Sequence, residues 1–382
     1  MGAAAVTALI AAALAGLDGT GVEPNASVRT ETSAHAYGGD GAPTRALAAE
    51  DVLPRLSLLL DHHEVRLVLR YEPQLRLTQD PAAPDEHAAF VQGGAARAEW
   101  DASPAWRLSG DARAAERLVD LGAGGAPRLL DLRADTANVR FLDAGAAAAV
   151  EGRLGPATTL RTRASVDDTG GVDAADRVVL PRMVELRVGT ALSREESAID
   201  VLQLEARALE AQVDGGGQAS ILTGEAGWVR ELTRTLRARL AASANEVRDA
   251  TSARVLPGGS LELESTGLAG RRLRLRAALR AGPGVDRYGG LVEERLGVEG
   301  ALAWALAPRW TLEAAAAGGR ILGPLGYSAV RGDLRAAWQV SRRLTLSAGA
   351  FSEDHRDPRV PAAPDSFVRG ASAAVELATL PR

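Results

Sequence analysis

The segment at residues 296–317 constrains the fold of this chain more than any other stretch. It reads LGVEGALAWALAPRWTLEAAAA, and two arms in it alternate apolar with polar or small side chains around a short turn containing Pro308 and Arg309. Side chains alternate across a β-strand with a period of two, so each arm has one apolar face. Trp304 and Trp310 flank the turn on that face. The segment therefore predicts a β-hairpin with a tryptophan on each side of its turn.

The same alternation recurs along residues 25–380 and predicts an all-β fold of about 18 antiparallel strands in up-and-down order. A count of about 16 stays open if the first pair of strands is peripheral. Short turns alternate with longer polar loops, which include residues 38–50, 167–177, 247–256 and 353–364. Short turns at one end and long loops at the other are typical of a transmembrane β-barrel. Proline lacks a ladder donor, so we expect Pro73 to weaken one strand.

A helix is the competing interpretation for segments rich in alanine and arginine, such as residues 233–242, because both residues favour helices. Leu236 and Leu240 alternate there with Arg237 and Arg239. Helical spacing at i, i+3 and i+4 would mix arginine and leucine on one face, whereas strand spacing separates them. The pattern therefore favours a strand.

The aromatic residues lie at the ends of the predicted strands. Tryptophan and tyrosine favour the boundary between water and lipid, so two aromatic belts predict a barrel that spans a membrane. The alternative is that aromatic residues cap the hairpins of a soluble protein. The predicted belt at the short turns consists of Trp100, Trp106, Trp228, Trp304, Trp310 and Trp338. The predicted belt at the long loops consists of Tyr37, Phe90, Phe141, Tyr288, Tyr327, Phe351 and Phe367.

The polar faces of the strands are rich in arginine, which supplies all 44 basic residues. An arginine or lysine on the lipid face would cost about 2–4 kcal/mol at the midplane, so these faces are expected to point inward. Rings of charge set ion selectivity, and rows of arginine would favour anions. The alternative is a charge network that only satisfies a polar interior. The predicted lumen and selectivity residues are Arg66, Arg70, Arg161, Arg163, Arg237, Arg239, Arg272, Arg274, Arg276, Arg280, Glu299 and Glu313.

Other classes of function find little support. The net charge of -5 argues against a nucleic-acid partner. The absence of cysteine excludes disulfides and cysteine-based metal or nucleophile chemistry. His62 and His63 lie in a predicted turn, where we expect solvated side chains rather than metal ligands. No Gly-x-Ser-x-Gly motif and no Ser/His/Asp spacing indicates an enzyme. The sequence predicts no catalytic residue, no metal and no cofactor.

Three segments complete the organisation of the chain. Residues 1–20 contain an apolar run and the small-x-small pattern Ala13-Leu14-Ala15, and they are expected to be a signal peptide, although no basic residue precedes the run. Residues 25–380 are expected to form a single barrel domain. Residues 115–137 are the longest irregular stretch, and their glycines lack the lysine of a phosphate-binding loop. We expect this stretch to fold inward and restrict the lumen.

On these residues the chain resembles Gram-negative outer-membrane β-barrels. More loosely it resembles large arginine-rich barrels of GC-rich genomes, some of them linked to exopolysaccharide export. The resemblance covers residues 25–380 and is carried by the architecture and by turn-flanking phrases at 304–310 and 338–344. The chain departs from the pattern in its 4% aromatic content and in a last strand without a terminal aromatic residue.

The resemblance implies an outer-membrane location with lipid as a partner. It also implies a porin or export channel that passes a polar solute, with anions or a polysaccharide as the candidates, and no enzymatic activity. The alternative is a structural or interaction barrel whose lumen is closed by ion pairs and which transports nothing.

Overall fold

The strands of this protein form one antiparallel sheet that closes on itself. The computed structural model describes residues 22–39, 42–62, 64–80, 83–118, 139–268, 272–322, 326–356 and 365–378. With two exceptions, strands that follow one another pair, and the last strand pairs with the first, as at Ala34 and Ala371. The strands are β1 (Val22–Gly39), β2 (Ala42–His62), β3 (Val65–Tyr71), β4 (Gln74–Asp80), β5 (Ala83–Val91), β6 (Gly93–Ser103), β7 (Trp106–Leu118), β8 (Arg140–Gly155), β9 (Thr158–Gly171), β10 (Met183–Glu195), β11 (Asp200–Val213), β12 (Gln218–Thr233), β13 (Leu236–Arg248), β14 (Ala253–Leu268), β15 (Leu273–Val285), β16 (Val292–Ala307), β17 (Trp310–Ile321), β18 (Ser328–Gln339), β19 (Leu344–Arg356) and β20 (Asp365–Ala378).

Two pairs of these segments are halves of single barrel strands. Both β3 and β4 pair with β2, and they are interrupted at Glu72 and Pro73, where proline was expected to weaken the ladder. In the same way β5 and β6 continue each other across Gln92 and pair with β4 and β3. The described part of the chain therefore forms a closed up-and-down barrel of 18 strands, as predicted, and the count of 16 is wrong.

The predicted hairpin at residues 296–317 is confirmed. It consists of β16 and β17, joined by a turn at Pro308 and Arg309, with a bulge between Ala305 and Ala307. We call the end of the barrel with such two-residue turns the short-turn end, and the opposite end the long-loop end.

Paired residues of neighbouring strands share a face of the sheet, so the registers trace each face around the barrel. On β18, Arg331 and Asp333 face inward and line an interior cavity. Val330, Leu334 and Trp338 of the same strand face outward, and their apolar side chains are exposed. Comparable apolar side chains are exposed on most other strands. A surface of this kind is stable against hydrocarbon rather than water.

The described part of the chain has no helix that is both long and apolar enough to cross a bilayer.

Several predicted loops are corrected by the structure. Most of residues 38–50 belong to β1 and β2, which extend to Gly39 and begin again at Ala42. Residues 247–256 contain only a four-residue turn, because β13 ends at Arg248 and β14 begins at Ala253. These strands run beyond the apolar band, where the alternation of apolar and polar residues no longer marks them. The predicted signal peptide, and residues 119–137 of the predicted constriction, lie outside the described residues.

The interior near the long-loop end of β10–β16 holds a buried apolar cluster. Above it, the connection at residues 214–217 meets the connection at residues 286–291, where the N–H of Gly217 donates to the carbonyl of Gly289 (3.2 Å). Gly290 has a φ of 67°, and a Cβ there would come within 2.6 Å of the Gly217 carbonyl oxygen. The first connection joins β11 to β12 and the second joins β15 to β16. Because these strand pairs are not adjacent, the two connections can meet only if both lean over the mouth of the barrel. The cluster comprises Met183, Ala211, Val213, Ala219, Ile221, Val247, Leu256, Val285 and Val292.

Residues 172–182 connect β9 to β10, and we call them the inward segment. They contain the short helix α1 (Ala174–Val179), whose N-terminus is capped because the carboxylate of Asp173 accepts a hydrogen bond from the N–H of Asp176 (2.8 Å). The sequence predicted a polar loop here, whereas β9 extends to Gly171 and a helix follows. A Cβ on Gly171 would lie only 2.4 Å from a backbone nitrogen of the helix, so glycine allows this close packing.

The inward segment crosses part of the barrel interior. Leu180, at its end, is fully buried in an apolar cluster with Phe141 of β8 and Val368 of β20. Around the circumference, β1–β7 separate those two strands, so one cluster joins distant parts of the wall. Arg287 holds the segment from the far side by donating a hydrogen bond to the carbonyl of Pro181 (3.2 Å).

Candidate functional site

The barrel encloses a cavity of about 1400 Å³. Among the described residues, its lining comes from β1–β8 and β14–β20 and not from β9–β13. Phe141 and Phe351 line the cavity and also pack in the cluster around Leu180. The cluster that anchors the inward segment therefore lies at the edge of the cavity. The apolar cluster of β10–β16 occupies another part of the interior.

A row of arginines follows the inward face of β15. Alternate residues on a strand are about 7 Å apart, so Arg274 and Arg276 present neighbouring guanidinium groups to the cavity. Further along, Arg280 is bound on both sides, to Glu262 and Glu299 at 2.9 Å each. Arg276 lies 3.8 Å from Glu299, which is a long and weak ion pair. Arg274 forms no ion pair with a described residue. The row therefore changes from fully paired to unpaired towards the short-turn end.

The opposite part of the lining, on β1–β4, carries several ion pairs. The guanidinium of Arg76 is buried and donates to both carboxylate oxygens of Asp51 at 2.9 and 2.7 Å. Arg55 lies 2.6 Å from Glu72. Arg70 lies 3.8 Å from the same carboxylate. A buried arginine in this bidentate geometry is positionally constrained, so this wall is a rigid polar surface.

The registers place the predicted lumen residues that lie in strands on the inward face, and Arg272 lies in the turn that precedes β15. Four of them line the cavity: Arg70, Arg274, Arg276 and Glu313. Elsewhere on the inward face, Arg163 is paired with Asp111 at 3.1 Å and Arg239 with Glu225. Arg66, Arg161, Arg237 and Arg272 form no ion pair with a described residue. The role of these residues in selectivity stays a prediction.

The six tryptophans face outward near the short-turn end, in the positions of the predicted belt. Trp310 and Trp338 on neighbouring strands stack, with ring centroids 5.4 Å apart and planes 4° from parallel. The indole N–H of Trp228 donates to Asp200 (2.9 Å). Such rings have an apolar body and a hydrogen-bonding edge, which suits a boundary between lipid and water.

The second predicted belt, at the long-loop end, is wrong as a continuous ring. Phe90 faces outward, but Phe141 and Phe351 face the cavity and Tyr327 is buried. Phe367 also faces outward, beneath the guanidinium of Arg369 (5.3 Å) and beside β19. The side chain of Tyr37 lies outside the described side chains. The connections at residues 172–182, 214–217 and 286–291 lean inward and cover part of the interior, so apolar side chains are buried beneath them.

A buried polar network, which the sequence reading did not single out, lies on the inward faces of β18 and β19. His355 is hydrogen-bonded through one ring nitrogen to Tyr327 and through the other to Glu353. Arg331 donates to Glu353 at 3.2 Å and to Asp333 at 2.7 Å. The sequence offered two signals, the inward parity of Glu353 and His355 and the hairpin register that sets Arg331 opposite Glu353, but nothing indicated the contact with Tyr327, which precedes β18.

No protein family matches the chain by sequence, and no curated protein matches it either. Among solved structures, OpdO of Pseudomonas aeruginosa aligns with a TM-score of 0.51 at 12% identity, covering 94% of this chain and 98% of OpdO. P. aeruginosa OpdK, determined with vanillate, aligns with a TM-score of 0.49 at 11% identity, covering 93% and 98%. Acinetobacter baumannii OccAB2 aligns with a TM-score of 0.48 at 10% identity, covering 93% and 98%.

The alignment with OpdO extends over nearly the whole of both chains and shows a shared fold. The predicted resemblance to outer-membrane β-barrels is therefore confirmed for the fold.

Proposed function

We propose that this protein is an outer-membrane porin that lets small polar solutes pass through the lumen. The observation that carries the proposal is the combination of an apolar outer surface with an interior cavity of about 1400 Å³ lined by arginine and carboxylate side chains. A lipid-facing exterior requires all strand groups to be paired, which closure between β1 and β20 achieves. A charged, solvated interior provides a path for polar molecules.

The size of the solute follows from what fills the rest of the barrel. The inward segment and the apolar cluster of β10–β16 occupy much of the interior near the long-loop end. Apolar clusters in the interior obstruct an extended polysaccharide more than they obstruct a small solute. We therefore favour small solutes over the polymer-export interpretation.

Anions are the preferred solutes in this proposal. The support comes from Arg274 and Arg276, which present incompletely paired guanidinium groups to the cavity. Glu264 and Glu313 also line it without an ion pair to a described residue, so the expected preference is moderate. Guanidinium groups bind carboxylate and phosphate in a bidentate geometry, which makes small organic anions the best candidates.

Conductance across a planar bilayer tests the proposal. The refolded protein is expected to form discrete channels with an anion-favouring reversal potential in a salt gradient. The triple charge reversal R272E/R274E/R276E should shift that potential towards cations, while R248E, on the outward face, should leave it unchanged. An unchanged potential in the triple variant would reject the anion preference, and absence of channels at any salt concentration would reject the pore.

A second function, a structural or interaction barrel with a closed lumen, is favoured by a different observation. Ion pairs such as Arg76–Asp51, together with the two interior apolar clusters, could leave no continuous water path. The barrel would then act through its loops. The same bilayer experiment separates the two functions, because a closed barrel inserts without conducting. Insertion is checked by a shift in gel mobility between heated and unheated samples.

A further inference from the structure

The network on β18 and β19 contains more acid than base. Arg331 supplies one positive charge, and Glu353 and Asp333 supply two negative charges. His355 is almost wholly buried beside them, and its neutral form leaves the group with one net negative charge. A proton on His355 brings that net charge to zero. Histidine is the side chain whose charge ordinarily changes between about pH 5 and pH 8.

The hydrogen bonds of His355 differ between its two protonation states. The neutral ring can donate from one nitrogen to the Glu353 carboxylate and accept at the other from the hydroxyl of Tyr327. The protonated ring donates from both nitrogens, so the Tyr327 hydroxyl must turn and become an acceptor. Tyr327 directly precedes β18, at the long-loop end. Proton uptake therefore changes a charge on the lumen wall and a hydrogen bond at the base of a loop.

This network lies beside the cluster that anchors the inward segment. Arg331 sits over the ring of Phe351 (5.0 Å). Phe351 packs against the cluster that anchors Leu180. Glu353, Asp333 and Arg331 all line the cavity. A change of charge here acts on a solute in the part of the cavity next to Phe351 and the Leu180 cluster.

Other charged and titratable groups near His355 have defined places. On β20, Arg369 donates to the main-chain carbonyl of Glu353 (2.8 Å), and its side chain is paired with Asp354 on the outward side. On β1, His35 lies beyond Phe351, with ring centroids 5.6 Å apart, and it is hydrogen-bonded to Ser33 (2.9 Å). His35 is the one histidine among the described residues that lines the cavity, whereas His355 is buried behind Glu353, so His35 is the control for His355.

We propose that His355 is a proton-dependent determinant of ion selectivity in the lumen. Below the pH at which it takes a proton, the wall formed by Arg331, Asp333 and Glu353 loses its net negative charge, and the channel passes anions better relative to cations. The inference rests on the proposed porin function. It makes the selectivity of the same cavity depend on pH. The arginine row of β15 cannot do so, because arginine stays charged at all relevant pH values.

The test is the anion-over-cation permeability ratio of single channels at pH 8 and pH 5. The wild type is expected to raise this ratio about twofold at pH 5, since one elementary charge about 10 Å away in water changes ion occupancy by about that factor. H355Q should remove the rise. H35Q should retain it, and so should a variant with glutamine at positions 62, 63 and 87. A rise that persists in H355Q, or that disappears in H35Q, would overturn the proposal.

E353Q provides a second measurement if H355Q does not insert. It removes one negative charge, so its ratio at pH 8 is expected to match that of the wild type at pH 5. A ratio at pH 8 equal to that of the wild type at pH 8 would contradict the inference. The experiment distinguishes failure of the proposed porin function from failure of the proposed role of His355. A wild type without channels rejects the porin, whereas channels with a ratio independent of pH reject only the role of His355.

Discussion

The two ends of strand β11 follow opposite patterns. Near the short-turn end, Leu202 and Leu204 face outward, and Gln203, Glu205 and Arg207 face inward. Near the long-loop end the arrangement inverts, and the residues are apolar inside and polar outside: Leu209, Ala211 and Val213 face inward, and Glu210 and Gln212 face outward.

The inversion shows where the environment changes. A strand between lipid and a wet lumen has its polar residues inside and its apolar residues outside. A strand between water and a dry core has the reverse arrangement. On β13 the same change places Val247 in the core and Glu246 and Arg248 outside. The barrel is therefore a membrane-type wall at one end and resembles an ordinary water-facing sheet around a packed core at the other.

A charge placed in the dry end should have the largest effect. V247D puts a carboxylate in a fully buried apolar site without a partner, and we expect a loss of about 3–5 kcal/mol in the free energy of unfolding. A301D puts the same carboxylate on the wet wall opposite Arg276, where a change within about 0.5 kcal/mol is expected. Urea unfolding of both variants in detergent measures the difference. Equal losses would mean that the two ends do not differ in solvation.

The anchor of the inward segment comes next. L180A should cost about 2–5 kcal/mol locally, because it leaves a cavity in the cluster with Phe141 and Val368. The segment should then detach more often, with a higher and noisier single-channel conductance and faster proteolysis within residues 172–182. V178A is the matched control, since Val178 is 82% exposed on the same segment. Wild-type conductance in L180A would show that the segment does not limit the lumen.

A smaller effect is expected at the short-turn end. The stacked Trp310 and Trp338 should couple by about 0.5–1.5 kcal/mol in a double-mutant cycle to alanine, measured by unfolding in lipid vesicles. A cycle between Trp310 and Trp228, which lies on a distant strand, should give no coupling. Coupling of similar size in both cycles would indicate a general effect of tryptophan on membrane insertion rather than the stack.

The smallest effect concerns the turn between β13 and β14. The hydroxyl of Thr251 (2.6 Å) and the N–H of Val292 (3.0 Å) donate to Asp249 and hold the pKa of its carboxyl well below the usual range. A lowered folded-state pKa stabilises the turn above the unfolded value of about 4, and that contribution is lost as the pH falls through the folded value.

Amide exchange within residues 249–252 should therefore accelerate when the pH falls below about 4, by an amount equivalent to about 1 kcal/mol at most. D249N should exchange fast at neutral pH and lack this acid-dependent step after correction for intrinsic exchange. A wild-type turn with the same protection at both pH values would mean that the carboxylate does not hold it.

The sequence by itself determined the barrel. Alternation with a period of two, short turns at one end and tryptophans beside them were sufficient to predict an antiparallel barrel of about 18 strands, because each of these signals is local. Local parity also assigned Arg274, Arg276 and Glu313 to the inward face. It could even have revealed the inversion on β11, where residues 209–213 exchange their apolar and polar faces.

Only the tertiary structure decided what fills the lumen. Leu180 lies just after the predicted polar loop at residues 167–177, and its partners Phe141 and Val368 come from strands far apart in the sequence. Arg331 and Glu353 are opposite each other in the β18–β19 hairpin, but the hydrogen bond from Tyr327 to His355 brings the connection before β18 against the inward face of β19. Such contacts depend on how far each connection leans into the barrel. That is set by packing against distant walls rather than by neighbouring residues, so no local pattern specifies it.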